Sequence, residues 1–185
     1  SSPINGVLAE EYRKEDPFPA MKYDWTKPRD FNRQYPSNLF FIIKGETKFE
    51  LDYANYWDGF IISQKFKDII DKSNCPAYKC AKLTIVNTKG EDISNSRNYY
   101  FIEMRNSVID AIDYNNSQFL LDSDMIKMRG LTISEVEKSG AYFGNIKEYQ
   151  KLSLLSKEIE FDIFQLKDIV IHDLVCNENI KAILE

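Results

Sequence analysis

Apolar and polar positions follow the same order in two separated stretches of this chain. Residues 59–71 read GFIISQKFKDIID and residues 173–185 read DLVCNENIKAILE. Each runs from an apolar triplet through a polar residue into a short amphipathic segment. Phe60-Ile61-Ile62 corresponds to Leu174-Val175-Cys176. Ser63 corresponds to Asn177, and both are N-cap types, because their side chains accept from the open N–H groups of a first helical turn. Phe66, Ile69 and Ile70 occupy the offsets that Ile180, Ile183 and Leu184 occupy, which places three side chains on one helical face. Each stretch therefore predicts a strand, a cap and a helix. Only Lys67/Lys181 and Ile69/Ile183 are identical. The separation of the copies is no solenoid period. Strand–cap–helix is a common local solution, so chance likeness is the ordinary reading and duplication the alternative.

The rest of the pattern predicts further strands. Leu39 to Ile43 is β-branched and aromatic and is stopped by Gly45. Lys48-Phe49-Glu50-Leu51 offers a second strand, and Asn74-Cys75-Pro76 ends the first helix. Tyr78 to Val86 reads as a strand and Asn87-Thr88-Lys89-Gly90 as a turn. Tyr99 to Met104 and Val108 to Ile112 flank Arg105-Asn106-Ser107 in the manner of a β-hairpin. Residues 122–157 carry no clean period, although Ser134-Glu135-Val136-Glu137 opens a short helix and Tyr149 to Leu155 reads as another helical turn or two. Ile159 to Phe164 alternates as a strand with one wet face, and Ile169-Val170-Ile171 is a short apolar run. Strands and helices are mixed without regular alternation. The expected class is α+β, with a mostly antiparallel sheet flanked by short helices.

Five of the six prolines, Pro3, Pro17, Pro19, Pro28 and Pro36, fall in the first 36 residues. Proline removes a backbone donor and disfavours helix at the residue before it, so this segment should be extended and irregular. It also carries Phe18, Tyr23, Trp25, Phe31 and Tyr35, in which a disordered tail would be poor. The expected organisation is an extended N-terminal arm over residues 1–38, packed on a single α+β domain over residues 39–185.

Composition narrows the function classes. A chain of 185 residues buries about 70% of its unfolded surface, enough for a core without staples. Aromatics reach 14%, a surplus that suits strands, core filling and interfaces. A net charge of −5 argues against a nucleic-acid partner and fits a basic protein partner without demanding one. Three cysteines, Cys75, Cys80 and Cys176, make no disulfide framework and suit free thiols in a reducing cytoplasm. No run is long enough for a membrane-spanning helix, and no signal-peptide pattern is present. The chain opens Ser-Ser-Pro without Met, which fits a trimmed start.

Candidate chemistry is sparse. The sole histidine, His172, precedes Asp173, but neighbours in a strand point to opposite faces, so a structural or surface histidine is the ordinary reading. Cys176 lies in an apolar triplet and reads as a small core residue. Zinc would need Cys75, Cys80, Cys176 and His172 together, at spacings unlike any known knuckle. No phosphate-cradling glycine motif, nucleophile elbow or zinc-protease motif occurs. The sequence therefore implies no cofactor, no metal and no catalytic residue.

The most charged local feature is acidic. Asp110, Asp113, Asp122 and Asp124 lie between Ser107 and Asp124 with no Lys or Arg among them. Three readings stand: a metal or glycosidic acid–base pair, a solvated loop rich in turn-forming Asp, or an interface patch that steers a basic partner. Asp113 and Ser117 also have the spacing of a local side-chain-to-backbone turn. Trp57 and Tyr100 are the candidate aromatic anchors, since exposed Trp and Tyr are frequent hot spots. Core burial is the ordinary expectation for Trp57. Tyr99 and Tyr100 must face opposite sides of a strand, so one of them is a candidate for exposure.

Four phrases, GFIISQKFKDII, AIDYNNSQF, DIFQLKDIVI and DLVCNENIKAIL, stand in this order over roughly residues 58–185. Together they resemble a group of bacterial domains identified as immunity proteins of polymorphic-toxin systems, of the immunity protein 43 and immunity protein 11 kind. The Asp113–Ser117 spacing in IDYNNS is the most distinctive piece. The resemblance implies binding, not catalysis: such a protein neutralises a toxin of the same or a kin cell by covering its active site or locking its shape. It names no toxin and transfers no binding residue. The leading expectation is thus a toxin-binding protein with Asp110, Asp113, Asp122, Asp124, Trp57 and Tyr100 as candidate contacts. The alternatives are a small-molecule-binding or catalytic domain with a carboxylate site, and a structural or assembly module.

Overall fold

The structure, a computed structural model, describes residues 5–18, 35–57, 59–104, 108–155, 157, 159–167 and 170–184. Contacts group the chain into two units, Ser1–Ser107 and Val108–Glu185. The sequence pattern carries no mark of the division at 107/108. Residues 1–4 and 19–34, just over half of the proline-rich arm, lie outside the described residues.

In the first unit the order is β1 (Gly6–Ala9), β2 (Asn38–Ile43), β3 (Tyr53–Tyr56), β4 (Gly59–Ser63), α1 (Gln64–Lys72), β5 (Lys79–Asn87) and β6 (Tyr99–Glu103). They build a six-stranded sheet in the order β1-β2-β5-β6-β4-β3. Neighbours are antiparallel except β2 and β5, which run parallel with Leu39 opposite Leu83 and Phe41 opposite Ile85. Part of the arm thus enters the sheet, as β1 on the edge of β2.

The period of two decides what each face buries. Leu39, Phe41 and Ile43 of β2 join Leu83, Ile85, Ile61, Tyr99 and Phe101 in one core cluster. Aromatic edges lock it: Phe41 meets Tyr56 at 5.0 Å between ring centroids, and Phe49 meets Tyr99 at 5.0 Å. The intervening residues face the other way, where α1 inserts Phe66 and Ile70. Strand β4 is buried along its whole length because both its faces are covered. That is why its sequence is a continuous apolar run.

The second unit holds β7 (Val108–Ile109), β8 (Gln118–Leu121), α2 (Ser123–Met128), α3 (Ile133–Ser139), β9 (Ile146–Lys151), β10 (Ile163–Leu166), β11 (Leu174–Cys176) and α4 (Glu178–Leu184). Strands β11, β10 and β7 form one small sheet, and β8 pairs β9 antiparallel in another. Ile112, Phe164 and Leu166 centre its core, with Tyr114, Tyr149 and Phe161 packed against them. Of the pairings among the described residues, only β2–β5 and β7–β10 are parallel. The class is α+β, as the pattern implies.

Three local expectations are corrected. Residues 48–51 form no strand; the strand begins at Tyr53. The hairpin between Tyr99–Met104 and Val108–Ile112 does not form, because β6 already pairs with β4 and β5 on its two edges, and β7 pairs with β10; its turn, residues 105–107, lies outside the described residues. Tyr149 to Leu155 is not helical: Tyr149 belongs to β9, whose pairing with β8 overrides the helix preference of Lys, Glu and Gln.

The two strand–cap–helix units form as read, and they share more than the pattern. Ser63 N donates to Asp52 O at 2.9 Å, and Ser63 Oγ donates to Asp52 Oδ1 at 2.8 Å. Asn177 N donates to Asp162 O at 2.9 Å, and Asn177 Nδ2 donates to Asp162 Oδ1 at 2.6 Å. In both units the cap also accepts from the helix, Phe66 N to Ser63 Oγ and Ile180 N to Asn177 Oδ1. In both, the Asp immediately precedes a four-residue strand that pairs antiparallel with the strand before the cap. Phe49-Glu50-Leu51-Asp52 and Ile159-Glu160-Phe161-Asp162 repeat this entry in sequence.

The first of these latches has a pH signature. Asp52 also pairs with Arg97, whose Nη1 donates to Glu50 O at 2.6 Å. Burial works to raise the Asp52 pKa, but the Ser63 hydrogen bond and the Arg97 guanidinium outweigh it, so the carboxyl ionises below its ordinary value of 3.8. A group whose folded pKa is depressed adds stability above its unfolded pKa, and that share disappears as the pH falls through the folded one. Asp52→Asn should cost about 1 kcal/mol at neutral pH, the worth of a partly solvated charge pair. It should also flatten the acid limb of the stability curve below about pH 4. Urea unfolding of both proteins across that range checks this, and parallel curves would contradict it.

Candidate partner-binding surface

The acidic stretch resolves into three different local tasks. Asp113 builds a turn: its Oδ1 accepts from Asn115 N at 3.1 Å and Asn116 N at 3.2 Å, and its Oδ2 accepts from Asn116 Nδ2 at 2.7 Å. Ser117 N closes the turn on Asp113 O at 2.9 Å, and Ser117 Oγ accepts from Ser153 N at 3.0 Å. The Asn116 amide, with the two backbone N–H groups, holds the Asp113 carboxyl below the usual carboxylate range against a small opposing effect of burial. Asp110 makes an exposed ion pair with Lys167 at 3.1 Å, a contact of little energetic weight. Asp122 is the N-cap of α2, its Oδ1 accepting from Asp124 N and Met125 N. Asp124 stands in the first turn of that helix, where a negative charge suits the helix dipole.

Asp122 and Asp124 also border an open groove of about 440 Å³, lined by residues 119–124, Ile133 and Glu137 of α3, and Lys147 of β9. Its walls are held firmly. Thr132 and Glu135 form a reciprocal capping box that starts α3. Asn145, nearly fully buried, accepts from Arg129 Nη1 at 3.0 Å, donates to Ala141 O at 2.8 Å, and accepts Asp122 N on its carbonyl at 2.8 Å. These bonds tie the start and end of α2 to the segment leading into β9. The groove's lining includes the apolar Leu120 and Ile133, each 44% exposed. Asp110 and Asp113 do not line it. Sequence reasoning missed Leu120, Ile133, Glu137 and Lys147. They converge only through the β8–β9 pairing and α2–α3 packing, and no local pattern announces them.

The aromatic candidates belong to the first unit. Trp57 follows the Tyr56–Gly59 pair that closes the β3–β4 hairpin. It is 71% exposed, which corrects the expectation of core burial: it stands just beyond the last β3–β4 pair, Tyr56 with Gly59. Its φ of 55° lies in the left-handed region, which costs a bulky residue about 1–3 kcal/mol. Tyr100 is engaged within its unit. Its hydroxyl donates to Gln64 Oε1, and Lys67 Nζ stands 5.5 Å from its ring centroid. Tyr99, its neighbour, is the fully buried one.

Lys67, Tyr78, Cys80 and Cys176 all have pKa values raised from their ordinary ones. Lys67 pairs with Asp71 at 2.6 Å, and Tyr78 donates to the same carboxylate. Burial tends to lower the Lys67 pKa, but the Asp71 hydrogen bond and the electrostatic pull of Tyr78, Asp71 and Cys80 together outweigh it and keep the ammonium charged. Burial and the bond to Asp71 push the Tyr78 phenol up to about 12. Burial also raises the thiols of Cys80 and Cys176. His172 is exposed. Among the described residues no group of three or more His, Cys, Asp or Glu side chains is placed to hold a metal ion. Nor is any helix among them long and apolar enough to cross a membrane.

The fold is α+β, and Ser63, Asn177, Asp113, Asp122 and Thr132 serve its caps and turns. Residues 3–185 match the family model described as Immunity protein 43, and the chain belongs to that family. No curated protein shows significant similarity to the chain.

Proposed function

We propose that this chain neutralises a cognate bacterial toxin by binding it, with no chemical step of its own. The observation that carries the reading is the family match, which spans residues 3–185 and so takes in both units. The directions of the pKa shifts support it. A catalytic Cys, Tyr or Lys needs its pKa brought toward the working pH, and here burial moves Cys80 and Tyr78 the other way, while hydrogen bonding and nearby charge do so for Lys67 against the effect of burial. The net charge of −5 suits a partner with a basic surface. The place of action in this reading is the cytoplasm, where its three free cysteines would remain thiols.

Co-expression tests the proposal. The toxin domain encoded beside this chain's gene is expressed from an inducible promoter with and without the chain. Growth should be arrested by the toxin alone and restored by the pair, with a complex recovered by size-exclusion chromatography. If the toxin kills equally in both cases, or the purified chain turns over a metabolite at an enzymatic rate, the reading is lost.

A further inference from the structure

The groove of the second unit has a composition that selects its occupant. Its apolar lining includes the exposed Leu120 and Ile133. Its charged lining is Asp122, Asp124 and Glu137 against the single cation Lys147. Asp122 caps α2 through Oδ1 alone. Among the described residues Asp124 and Glu137 make no ion pair. A purely apolar segment would cover the apolar lining but desolvate the carboxylates without compensation, which is unfavourable. A bare metal ion would meet the charged lining only, and the carboxylates are not gathered closely enough to hold one. A basic segment with an apolar residue satisfies both, because Lys and Arg lay their stems along apolar surface while their heads reach the charges.

We propose that the groove formed by β8, α2, α3 and β9 receives a basic segment of the toxin, in which an apolar side chain seats on Leu120 and Ile133 while flanking Lys or Arg side chains pair with Asp124 and Glu137. The inference rests on the toxin-binding reading and names the chemistry of the contacted segment. The volume of about 440 Å³ holds a few side chains, so the groove grips one short segment. The lining charges steer association, and their effect falls as salt screens them over about 8 Å at physiological ionic strength. The apolar seat acts on dissociation.

Two probes test this separately from the function. The first is a synthetic peptide with two leucines between Lys-Arg pairs, compared with its Glu-Glu counterpart and with a version lacking the leucines. Backbone amide NMR of the full chain should show shifts confined to residues 118–124, 133–137 and 147 for the basic leucine peptide, and weaker or no shifts for the other two. Asp124→Lys with Glu137→Lys should weaken that peptide by about tenfold or more. Asp124→Asn with Glu137→Gln, which keeps shape, should weaken it less and reduce its salt dependence. All four substitutions lie on exposed side chains, and circular dichroism with a melting curve verifies that the fold is kept. The second probe is the toxin domain itself, whose association rate with the Lys variant should drop by about tenfold or more. Shifts mapping elsewhere, or a Lys variant that binds both probes within about twofold of the wild type, overturn the inference. A toxin domain that binds the wild type and the Lys variant equally sinks the groove and leaves the function standing. A toxin domain that ignores the wild type sinks the function instead.

Discussion

Phe41→Ala should destabilise the first unit by about 3–5 kcal/mol, a large share of the stability of an ordinary domain. Phe41 is fully buried at the centre of β2. Its ring meets Tyr56 at 5.0 Å and Phe49 at 6.1 Å, both edge-on. It also fills the space above Gly6, where an added Cβ would stand 2.4 Å from the ring's ζ carbon. Truncation therefore removes contacts with three segments, β1, β3 and the Phe49 loop. Strand pairing holds β1 and β3 in place, and the bond from Phe49 N to Ile93 O holds the loop, so the cavity cannot collapse fully. Denaturant unfolding at neutral pH measures the loss. Because Phe41 lies far along the chain from the groove residues and in the other unit, peptide binding at the groove should survive wherever the variant stays folded. A cost below about 1 kcal/mol would show that the Phe41–Tyr56–Phe49 cluster is not the core described above.

Gly59→Ala should cost about 2–3 kcal/mol, an overpacking penalty at its upper end. Gly59 opens β4 directly after the hairpin, opposite Tyr56. A Cβ there would lie 2.5 Å from the backbone oxygen of Ile102 and 2.5 Å from the ζ carbon of the Phe101 ring. A flexible side chain could move aside, but the Ile102 carbonyl belongs to the β6 strand that pairs with β4. Relief requires the start of β4 to move away from β6, which disturbs the turn that presents Trp57. Thermal melts give the size of the effect, and a variant as stable as the wild type would refute the close approach.

How far the chain could be read from its pattern depended on whether neighbours in sequence do the work. Strand–cap–helix units are local, so Ser63 and Asn177 marked their helix starts correctly. The Asp52 and Asp162 latches were invisible, because each lies more than a strand away from its cap and only hairpin pairing brings it back. Trp57 was misjudged for a related reason. Aromatic content favours burial on average, yet Gly59 pairs with Tyr56 and leaves Trp57 at the hairpin end. The Asp113–Ser117 spacing was legible as a turn because its bonds close within five residues. Half of the groove's charged lining, Asp122 and Asp124, stood out as charge without counter-charge. Glu137 and Lys147 did not, since they arrive from α3 and β9. Tyr149 to Leu155 reads as helical locally, with Gln150, Lys151 and three leucines favouring helix, while the β8 strand that pairs with β9 lies too far back in the chain to register.

In the function proposed above, the protein inhibits by occupying a toxin's surface and leaves the toxin chemically unchanged. The direct measurement is a titration of toxin activity with purified chain, followed by dissociation of the mixture and intact-mass spectrometry of the toxin. Binding predicts that activity falls in proportion to added chain, ends at a fixed molar ratio, and returns with a toxin of unaltered mass. Silencing of the toxin by far less than an equivalent of chain, with a changed toxin mass, would contradict it.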